Sequence, residues 1–323
     1  MGSNLTMGVV LCTFNGERYV EAQVQSIRRQ TRAPEFILAC DDASEDRTFA
    51  LLEACAAQAG VPMRVSRNRG NLGYLRNFER GILQCQADII VLSDQDDFWR
   101  PDKLATIEEA FLKNPQAGGV FTDAEIVDEQ ARPMGYGLLE ALEVSARDQL
   151  QMRCGNLFPV LLRRNVVAGA TCAFRASWKD RIIPVPEGAI HDEWIALVLA
   201  AHDALRFIPE RLIRYRQHAA NQIGARRRSV SWIFRSLLRS RRIENQRQLE
   251  LMQGLAERLV ASGAPTDARS AVAQKAEHLK RRVALSNSRL LRAPAVLSEV
   301  VNGRYSRYSS GWRTVVRDLV SPM

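Results

Sequence analysis

The sequence has 323 residues and a mass of 36.3 kDa, with 46% hydrophobic and 25% charged residues. These values are ordinary for a globular protein and exclude collagen-like, low-complexity and wholly disordered chains. The length predicts two domains, or one large domain with an appendage. No apolar run approaches the roughly 18 residues of a membrane span, and no secretory leader is indicated.

Charge is distributed unevenly along the chain, whose formal net charge is +9. Residues 224–323 carry 20 Lys and Arg against 7 Asp and Glu, whereas residues 1–223 carry 25 basic and 29 acidic side chains. This change predicts a mildly acidic domain over residues 1–223 and a basic α-helical region over residues 224–323. The six cysteines form no C-x-x-C pair, so we expect buried free thiols in a reducing cytoplasm and no structural zinc.

Apolar runs alternate with helical periodicity from residue 7 to residue 122. The spacing predicts strands over residues 7–13, 36–40, 62–66, 88–92 and 119–122, with helices over residues 17–30, 48–58, 74–84 and 101–112. Asp42 or Ser44 is expected to cap the second of these helices. Because the strands are short and continuously hydrophobic, they indicate an α/β fold whose mostly parallel sheet has helices on both faces.

The predicted elements beyond the fifth strand are more widely spaced. Residues 166–175, 206–208 and 213–215 are predicted as strands, residues 190–201 as an apolar helix, and residues 243–262 and 265–291 as amphipathic helices. The segment Arg226–Arg242 combines an apolar stripe containing Trp232 and Phe234 with seven arginines. Such a composition is typical of a helix at an anionic membrane surface, and packing against the rest of the protein is the alternative.

Polar clusters follow the ends of four predicted strands, at residues 13–15, 41–42, 68–71 and 94–97. In parallel sheets, ligands bind beyond the carboxyl ends of the strands. Asp94, Asp96 and Asp97 repel one another unless a cation lies among them, and oxygen ligands suit Mg²⁺ or Mn²⁺ when phosphates complete the shell. The alternative, a solvated acidic turn, is disfavoured by the apolar strand before the cluster.

Further candidates carry weaker signals. Asp42, with Asp41 beside it, could bind a base or a ribose, or could cap a helix. Arg76 could bind a base carbonyl or a diphosphate, or be a surface arginine. Asp192 precedes an apolar helix, where it is either a capping residue or a general base. A lone histidine such as His218 is usually structural or exposed.

Together these motifs resemble the family 2 glycosyltransferases, which are inverting enzymes of the GT-A fold. The matching segments are V-V-L-C-T-F-N-G at residues 9–16, D-D-A-S-E-D-R-T at 41–48, N-L-G at 71–73, S-D-Q-D-D-F-W-R-P-D-K at 93–103, H-D-E-W at 191–194 and Y-R-Q-H at 215–218. The resemblance covers residues 9–224. It is strongest to bacterial rhamnosyltransferase-type members, which build O-antigens and related surface polysaccharides.

The resemblance implies a role for each matching side chain. The residues expected to contact the nucleotide-sugar are Thr13, Asn15, Glu17, Asp41, Asp42, Arg76, Asp94 and Gln95. The expected metal ligands are Asp94, Asp96 and His218. Asp97 and His191 are expected to lie behind these residues, without direct contact. Asp192 stands at the catalytic-base position. The preceding residue is usually Glu in the family and is His191 here. The implied cofactor is Mg²⁺ or Mn²⁺.

The implied reaction moves a sugar from a nucleotide-sugar, with dTDP-L-rhamnose favoured over a UDP-sugar, to a glycan or lipid-diphosphate-linked acceptor. We expect the protein in the cytoplasm, at the inner face of the membrane through residues 226–242, with no nucleic-acid partner. A nucleotidyltransferase would prefer a Gly-rich loop followed by Lys, which residues 13–18 lack. A non-catalytic nucleotide-sugar-binding scaffold is the other alternative, and the intact Asp96 and Asp192 argue against it.

Overall fold

A mixed nine-stranded sheet forms the centre of the chain in the computed structural model, which describes residues 5–218 and 241–322. The strands are β1 (Met7–Thr13), β2 (Phe36–Asp41), β3 (Met63–Arg67), β4 (Ile89–Ser93), β5 (Phe98–Trp99), β6 (Gly119–Val127), β7 (Pro133–Gly137), β8 (Cys172–Arg175) and β9 (Leu205–Arg216). Their spatial order is β3-β2-β1-β4-β8-β6-β9-β5, with β7 paired to β6. β1 to β4 run parallel, and β8 is inserted antiparallel between β4 and β6.

Helices cover both faces of this sheet and form the C-terminal part of the described chain. They are α1 (Val20–Arg28), α2 (Thr48–Ala56), α3 (Tyr74–Gln84), α4 (Lys103–Lys113), α5 (Leu138–Ala141), α6 (Ala146–Arg153), α7 (Phe158–Arg163), α8 (Lys179–Ile182), α9 (His191–Ala201), α10 (Arg242–Ala261), α11 (Thr266–Val283), α12 (Arg289–Val301), α13 (Arg304–Tyr308) and α14 (Trp312–Val320). No helix in residues 5–218 or 241–322 is both long and apolar enough to cross a membrane.

Every residue of β1 is buried, because successive side chains enter opposite layers of helices. Val10 belongs to the core on one face of the sheet, whereas Val9 and Leu11 belong to the core on the other. Buried Val20, Val24 and Ile27 repeat at helical spacing along α1 and cover one of these faces. This two-sided burial explains the continuous hydrophobicity that predicted a parallel sheet.

The predicted α/β fold is confirmed, with local differences that have physical causes. The two short strands predicted over residues 206–208 and 213–215 are one twelve-residue strand, β9, which accommodates the exposed residues 209–211 through register shifts against β6. The strand predicted over residues 166–175 is limited to residues 172–175, because residues 169–171 form a single 3₁₀ turn. The helix predicted over residues 265–291 is two helices, interrupted at residues 284–288.

The structure also corrects two smaller predictions. Neither Asp42 nor Ser44 caps α2, whose N-cap residue is Arg47; instead, Asp46 accepts a hydrogen bond from the Thr48 amide at 2.9 Å. Asp42 and Ser44 are engaged in the loops of the cleft described below. Five of the six cysteines are buried free thiols, as expected, but Cys154 is exposed at the end of α6.

The C-terminal helices share a hydrophobic core with the sheet. Met252 and Leu255 of α10 are fully buried in the same cluster as Trp194 of α9 and Val10 of β1. This arrangement explains why α9 is buried around its whole circumference, since it lies between the sheet and α10. The boundary between residues 1–223 and 224–323 stays a prediction, and most of the basic segment, residues 219–240, lies outside the described residues.

Candidate active site

A cavity of about 1870 Å³ opens at the carboxyl ends of β1, β2 and β4 and extends toward the C-terminal helices. Nine of the predicted site residues line it, namely Thr13, Asn15, Asp42, Asp94, Gln95, Asp96, His191, Asp192 and His218. Segments that are remote in sequence therefore meet at one place, as expected for a sheet whose strand ends carry the polar residues.

The loop after β1 is held against the acidic turn by Gln95. The Gln95 side chain accepts a hydrogen bond from the Phe14 amide at 2.9 Å and donates one to the Phe14 carbonyl at 3.0 Å. Asn15 has a left-handed backbone, with φ of +48°, and its side-chain oxygen accepts from the Glu45 amide at 2.9 Å. A Cβ atom at Gly16 would lie 2.1 Å from Gln95 Oε1, so a larger residue here would displace the Gln95 amide from Phe14. The loop is thereby shaped before any ligand arrives.

The two aspartates at the end of β2 have different surroundings. Asp41 is fully buried and does not line the cavity; its carboxylate accepts hydrogen bonds from Thr13 Oγ1 at 3.0 Å and from the Ser44 amide at 3.0 Å. Asp42 lines the cavity and accepts from the Leu72 amide at 2.8 Å and the Gly73 amide at 2.9 Å. Asp41 therefore holds the loops around the cavity in place, while Asp42 connects the loop at residues 71–73 to the cavity wall.

Glu17 and Arg76 lie outside the cavity lining. Glu17 forms an exposed ion pair with Arg47, 3.2 Å away. Arg76 pairs with Glu79 at 2.5 Å and donates to the Val185 carbonyl at 3.2 Å. The nucleotide contacts predicted for these two side chains stay predictions, since both are engaged elsewhere in this structure.

The acidic turn after β4 concentrates charge in a buried place. Burial, followed by repulsion from Asp96 and Asp192, raises the pKa of Asp94 to about 7. Burial, followed by repulsion from Asp96 and Asp94, raises the pKa of Asp97 well above its ordinary value. Asp97 Oδ1 accepts from the Arg216 amide at 3.2 Å, whereas Oδ2 has no hydrogen-bond partner among the described residues. Such a cluster attracts a cation.

Asp96 and His218 supply adjacent donors of the kind that bind divalent metals. His218 Nε2 lies 2.7 Å from Asp96 Oδ2, and the imidazole stacks on the Tyr19 ring at 4.9 Å between centroids. Residues 5–218 and 241–322 contain no group of three His, Cys, Asp or Glu side chains arranged to hold a metal by themselves. A Mg²⁺ or Mn²⁺ ion at Asp96 and His218 would therefore need substrate phosphates and water to complete its ligand shell.

Lys103 lies behind the acidic turn, at the end of the matching segment 93–103, and the sequence predicts no role for it. Its ammonium is fully buried, lies 3.6 Å from the centroid of the Trp99 ring and donates to the Ala170 carbonyl at 2.7 Å. Burial lowers the pKa of Lys103 to about 7, while Asp97 and Asp94 oppose that shift. The spacing of a lysine nine residues after Asp94 was the available signal, but spacing does not show which way a side chain points.

Asp192 lies at the first turn of α9, with its carboxylate held in place by two donors. The Gly169 amide donates to Oδ2 at 2.9 Å and Asn165 Nδ2 donates to Oδ1 at 3.1 Å. Burial, followed by repulsion from Glu193, raises the pKa of Asp192 to about 7, against these hydrogen bonds. Since each carboxylate oxygen retains a second lone pair, this group can still accept a proton from a bound hydroxyl.

His191 is buried beside this carboxylate. Its ring stacks on Phe78 at 4.2 Å between centroids, and burial lowers its pKa to about 4. The imidazole is therefore neutral at physiological pH. Neither ring nitrogen has a hydrogen-bond partner among the described residues, although the side chain lines the cavity.

Sequence comparison identifies the relatives of the chain. Residues 8–160 match the sequence model of Glycosyl transferase family 2. The dTDP-rhamnosyl transferase RfbG of Shigella flexneri is 25% identical over 231 residues, an alignment that covers 67% of this chain and 74% of that protein. Alignments with two other curated relatives, each 24% identical, cover only 66% and 59% of those proteins. The predicted resemblance to family 2 glycosyltransferases is confirmed.

Solved structures show the same fold at low sequence identity. TarS 1-349 of S. aureus in complex with UDP has a TM-score of 0.54 and 15% identity, with 88% of this chain and 73% of that chain covered. The mannosyltransferase PcManGT from Pyrobaculum calidifontis, in complex with GDP-Man and Mn²⁺, has a TM-score of 0.52 and 15% identity, with 98% and 87% covered. The α/β architecture is thus that of GT-A glycosyltransferases.

Proposed function

We propose that this chain, whose residues 8–160 match glycosyl transferase family 2, is an inverting glycosyltransferase with Asp192 as its general base. The observation that carries the proposal is the position of Asp192. It shares one cavity with Asp94 and Asp96, and two donors fix the orientation of its carboxylate. A general base works best when its pKa is near the operating pH, and the pKa of Asp192 is raised to about 7.

The reaction follows from this arrangement as one displacement. An acceptor hydroxyl gives its proton to the Asp192 carboxylate while its oxygen forms a bond to the anomeric carbon of the donor sugar. The bond between that carbon and the diphosphate oxygen breaks on the opposite face, and its electron pair leaves with the diphosphate. The configuration at the anomeric carbon is inverted and no covalent enzyme intermediate forms. Positioning and one proton transfer supply much of the rate.

Asp96 and His218, with Asp94 beside them, would hold the divalent ion that belongs to this proposal. When bound, Mg²⁺ or Mn²⁺ neutralises charge on the leaving diphosphate. The support is the crowding of buried carboxylates and the 2.7 Å separation of Asp96 Oδ2 and His218 Nε2. The Mn²⁺ in the structure of PcManGT adds support by analogy.

The donor we propose is dTDP-L-rhamnose, with a UDP-sugar as the second choice. The similarity to RfbG supports rhamnose, and the UDP bound to TarS supports a pyrimidine nucleotide more broadly. On the cavity wall, the loop residues Thr13, Asn15 and Asp42 would contact the nucleoside. Titration with dTDP-, UDP- and GDP-sugars in the presence of Mn²⁺ ranks these donors.

We further propose that the acceptor is a glycan or lipid-linked glycan of cell-surface polysaccharide synthesis, met at the cytoplasmic face of the membrane. The support is the sequence of residues 226–242, in which arginines surround an apolar stripe. An anionic surface attracts such a segment, which would bring the cavity close to a membrane-bound acceptor.

The experiment that tests the proposed function is the substitution Asp192→Asn. Asn is nearly isosteric and can still accept from the Gly169 amide, but it cannot take up a proton. We expect transfer to fall by about 10²–10⁴ while the dissociation constant of the nucleotide-sugar stays within about twofold of that of the wild type. Calorimetry measures donor affinity, and release of nucleoside diphosphate in the presence of surface-glycan oligosaccharides measures transfer.

Asp180→Asn, on the exposed side of α8, is the matched control and should leave both quantities unchanged. Transfer by Asp192→Asn within threefold of the wild type would remove Asp192 from the reaction. A wild-type protein that binds nucleotide-sugars but never releases the diphosphate would instead favour the scaffold alternative.

A further inference from the structure

Unsatisfied polar atoms cluster where α9 meets the C-terminal helices. Among the described residues, both ring nitrogens of His191, Glu193 Oε2 and Asn245 Nδ2 are buried without a hydrogen-bond partner. All three side chains line the cavity, and each residue is more than nine-tenths buried. Buried polar groups in folded proteins are almost always hydrogen-bonded to protein or to ordered water, so these three groups in one wall are available to polar atoms that enter the cavity.

Lys275 of α11 adds a cation to the same wall. It is 4% exposed and lines the cavity. Its ammonium has electrostatic interactions with Glu193 and Arg282, but it forms no hydrogen bond or ion pair with any residue in the part of the chain that the structure describes. An ammonium group carries three donors, and those of Lys275 are available to a molecule in the cavity.

The helices that carry these groups are joined at this point. Gln248 of α10 donates to Glu193 Oε1 at 3.2 Å, and an Arg247 guanidinium nitrogen lies 3.8 Å from Glu193 Oε2. Three helices therefore contribute to one polar surface next to Asp192, and that surface includes groups from the C-terminal region, beyond the residues 8–160 that match the family.

The chemistry of this surface matches sugar hydroxyls. A hydroxyl both donates and accepts, and the wall offers donors in Asn245 Nδ2 and the Lys275 ammonium, an acceptor in Glu193 Oε2, and both functions in the neutral His191 ring. Two carboxylates, Glu193 and Asp192, and two cations, Lys275 and Arg247, line this part of the cavity, so their charges offset one another and the wall does not select strongly for an ion. Tyr74, which lines the same cavity and is 36% exposed, offers a ring face to the apolar side of a pyranose.

We propose that His191, Glu193, Asn245 and Lys275 form the subsite for the acceptor saccharide, recognised as a neutral pyranose through its hydroxyl groups. This proposal rests on the proposed function, since it assigns the second substrate of the same reaction. It places acceptor recognition at the junction of the sheet with the C-terminal helices and leaves the nucleotide to the loops after β1, β2 and β4.

Saturation-transfer NMR tests the subsite with defined probes. The probes are the methyl pyranosides of glucose, mannose, galactose and rhamnose, each added to the full chain with dTDP and Mg²⁺. We expect at least one pyranoside to receive saturation from the wild type. The variants Lys275→Met and Asn245→Ala should each raise its dissociation constant by about tenfold or more, because each removes a hydrogen-bond donor.

Two controls separate recognition from folding. Lys280→Met lies on an exposed part of α11 and Gln246→Ala on an exposed part of α10, and both should bind the pyranoside as the wild type does. Lys275→Met removes a buried charge that forms no hydrogen bond, so its melting temperature should equal or exceed that of the wild type. A lower melting temperature for this variant would show that Lys275 serves the fold, and would overturn its part in the subsite.

The remaining outcomes also decide the question. If no pyranoside binds a wild-type protein that still binds a nucleotide-sugar, or if both variants bind the pyranoside normally, the subsite is wrong while the proposed function stands. Binding of inorganic pyrophosphate that Lys275→Met abolishes would assign the wall to an anionic group instead. If the wild type binds no nucleotide-sugar at all, the proposed function itself fails.

Discussion

Asp94 and Asp192 are buried carboxylates of one cavity, yet their environments suit them to different tasks. The neighbours of Asp94 are the carboxylates of an acidic turn, so a metal ion and a diphosphate can compensate its charge. Asp192 receives two hydrogen bonds and can form or lose its charge without a metal. In the proposed reaction, Asp94 would help to stabilise the leaving group and Asp192 would take up the proton.

We predict that Asp96→Asn greatly weakens metal-dependent binding of the donor. Asn provides a neutral oxygen in place of the carboxylate that lies 2.7 Å from His218 Nε2. Calorimetry with a nucleotide-sugar should show that the gain in affinity from Mn²⁺ seen in the wild type is largely lost. Asp102→Asn, on the exposed flank of the same segment, is the control and should keep the gain. An undiminished effect of Mn²⁺ on Asp96→Asn would contradict the assignment.

We predict that Asp192→Asn stabilises the protein at pH 8 more than at pH 5. The folded-state pKa of Asp192 is about 7, against an ordinary value of 3.8. The folded state therefore binds this proton more tightly, and the free energy of unfolding falls as pH rises between those values. Above pH 7 the wild type carries a buried charge that Asn lacks. Thermal unfolding at both pH values checks this, and a larger gain at pH 5 would refute it.

Much of the site follows from local sequence, because charged residues after a buried strand must lie at the edge of the sheet. Asp94 and Asp96 were predicted in this way, whereas Asp192 was predicted from its position at the start of an apolar helix. The nucleotide contact of Arg76 stays a prediction, since the orientation of its side chain depends on Glu79 and on the distant Val185 carbonyl. The orphaned groups of α10 and α11 gave no sequence signal at all, since buried Asn and Lys look like surface residues until the packing of helices is known.

The bounds of strands and helices were predicted best where the buried residues follow one repeat along the whole element. β1 and α3 have the predicted bounds, because their apolar residues follow the strand or the helix repeat without interruption. β9 was predicted as two strands because residues 209–211, Pro-Glu-Arg, interrupt the apolar pattern, although the backbone continues across them. The break between α11 and α12 lies at a Ser-Asn-Ser sequence, which favours turns and was overlooked within the longer periodicity.

We predict that Met252→Ala destabilises the whole protein by about 2–5 kcal/mol and leaves a single unfolding transition. Met252 is fully buried in the core that α10 shares with the sheet. Two independent domains would instead give two transitions, of which the substitution would shift only one. Denaturant unfolding followed by fluorescence and by circular dichroism distinguishes the cases. Val260→Ala, on the exposed side of the same helix, should change stability little.

The whole molecule combines an acidic body with a basic C-terminal third, and only part of that third is described structurally. We predict that changing Arg235, Arg239 and Arg242 together to Glu weakens binding to anionic vesicles by at least about tenfold, since each basic residue near such a surface contributes about 1 kcal/mol. Transfer to a soluble acceptor should survive. Co-sedimentation with vesicles rich in phosphatidylglycerol measures the effect.

The control for this prediction is a second triple variant with the same change of charge at a different place on the protein. Lys113, Arg147 and Arg153 are exposed residues of the acidic body, and changing them together to Glu should leave vesicle binding nearly intact. Equal losses in both triple variants would show that net charge alone attracts the protein to the surface. Unfolding of the first variant would show that the segment packs against the body and does not bind membrane.

Strand β9 connects the acidic turn to the chain that follows it. Its residues Ile213 and Arg214 pair with Trp99 and Phe98, directly after the acidic turn, and two residues beyond its end His218 meets Asp96. Coupling between two binding sites is reciprocal. If a contact of the following basic segment repositions His218, it changes the affinity for metal and nucleotide by some factor. Binding of metal and nucleotide then changes the affinity of that contact by the same factor. If that factor exceeds one, membrane contact and donor binding strengthen each other, and loss of nucleotide-sugar to hydrolysis away from the membrane-bound acceptor falls.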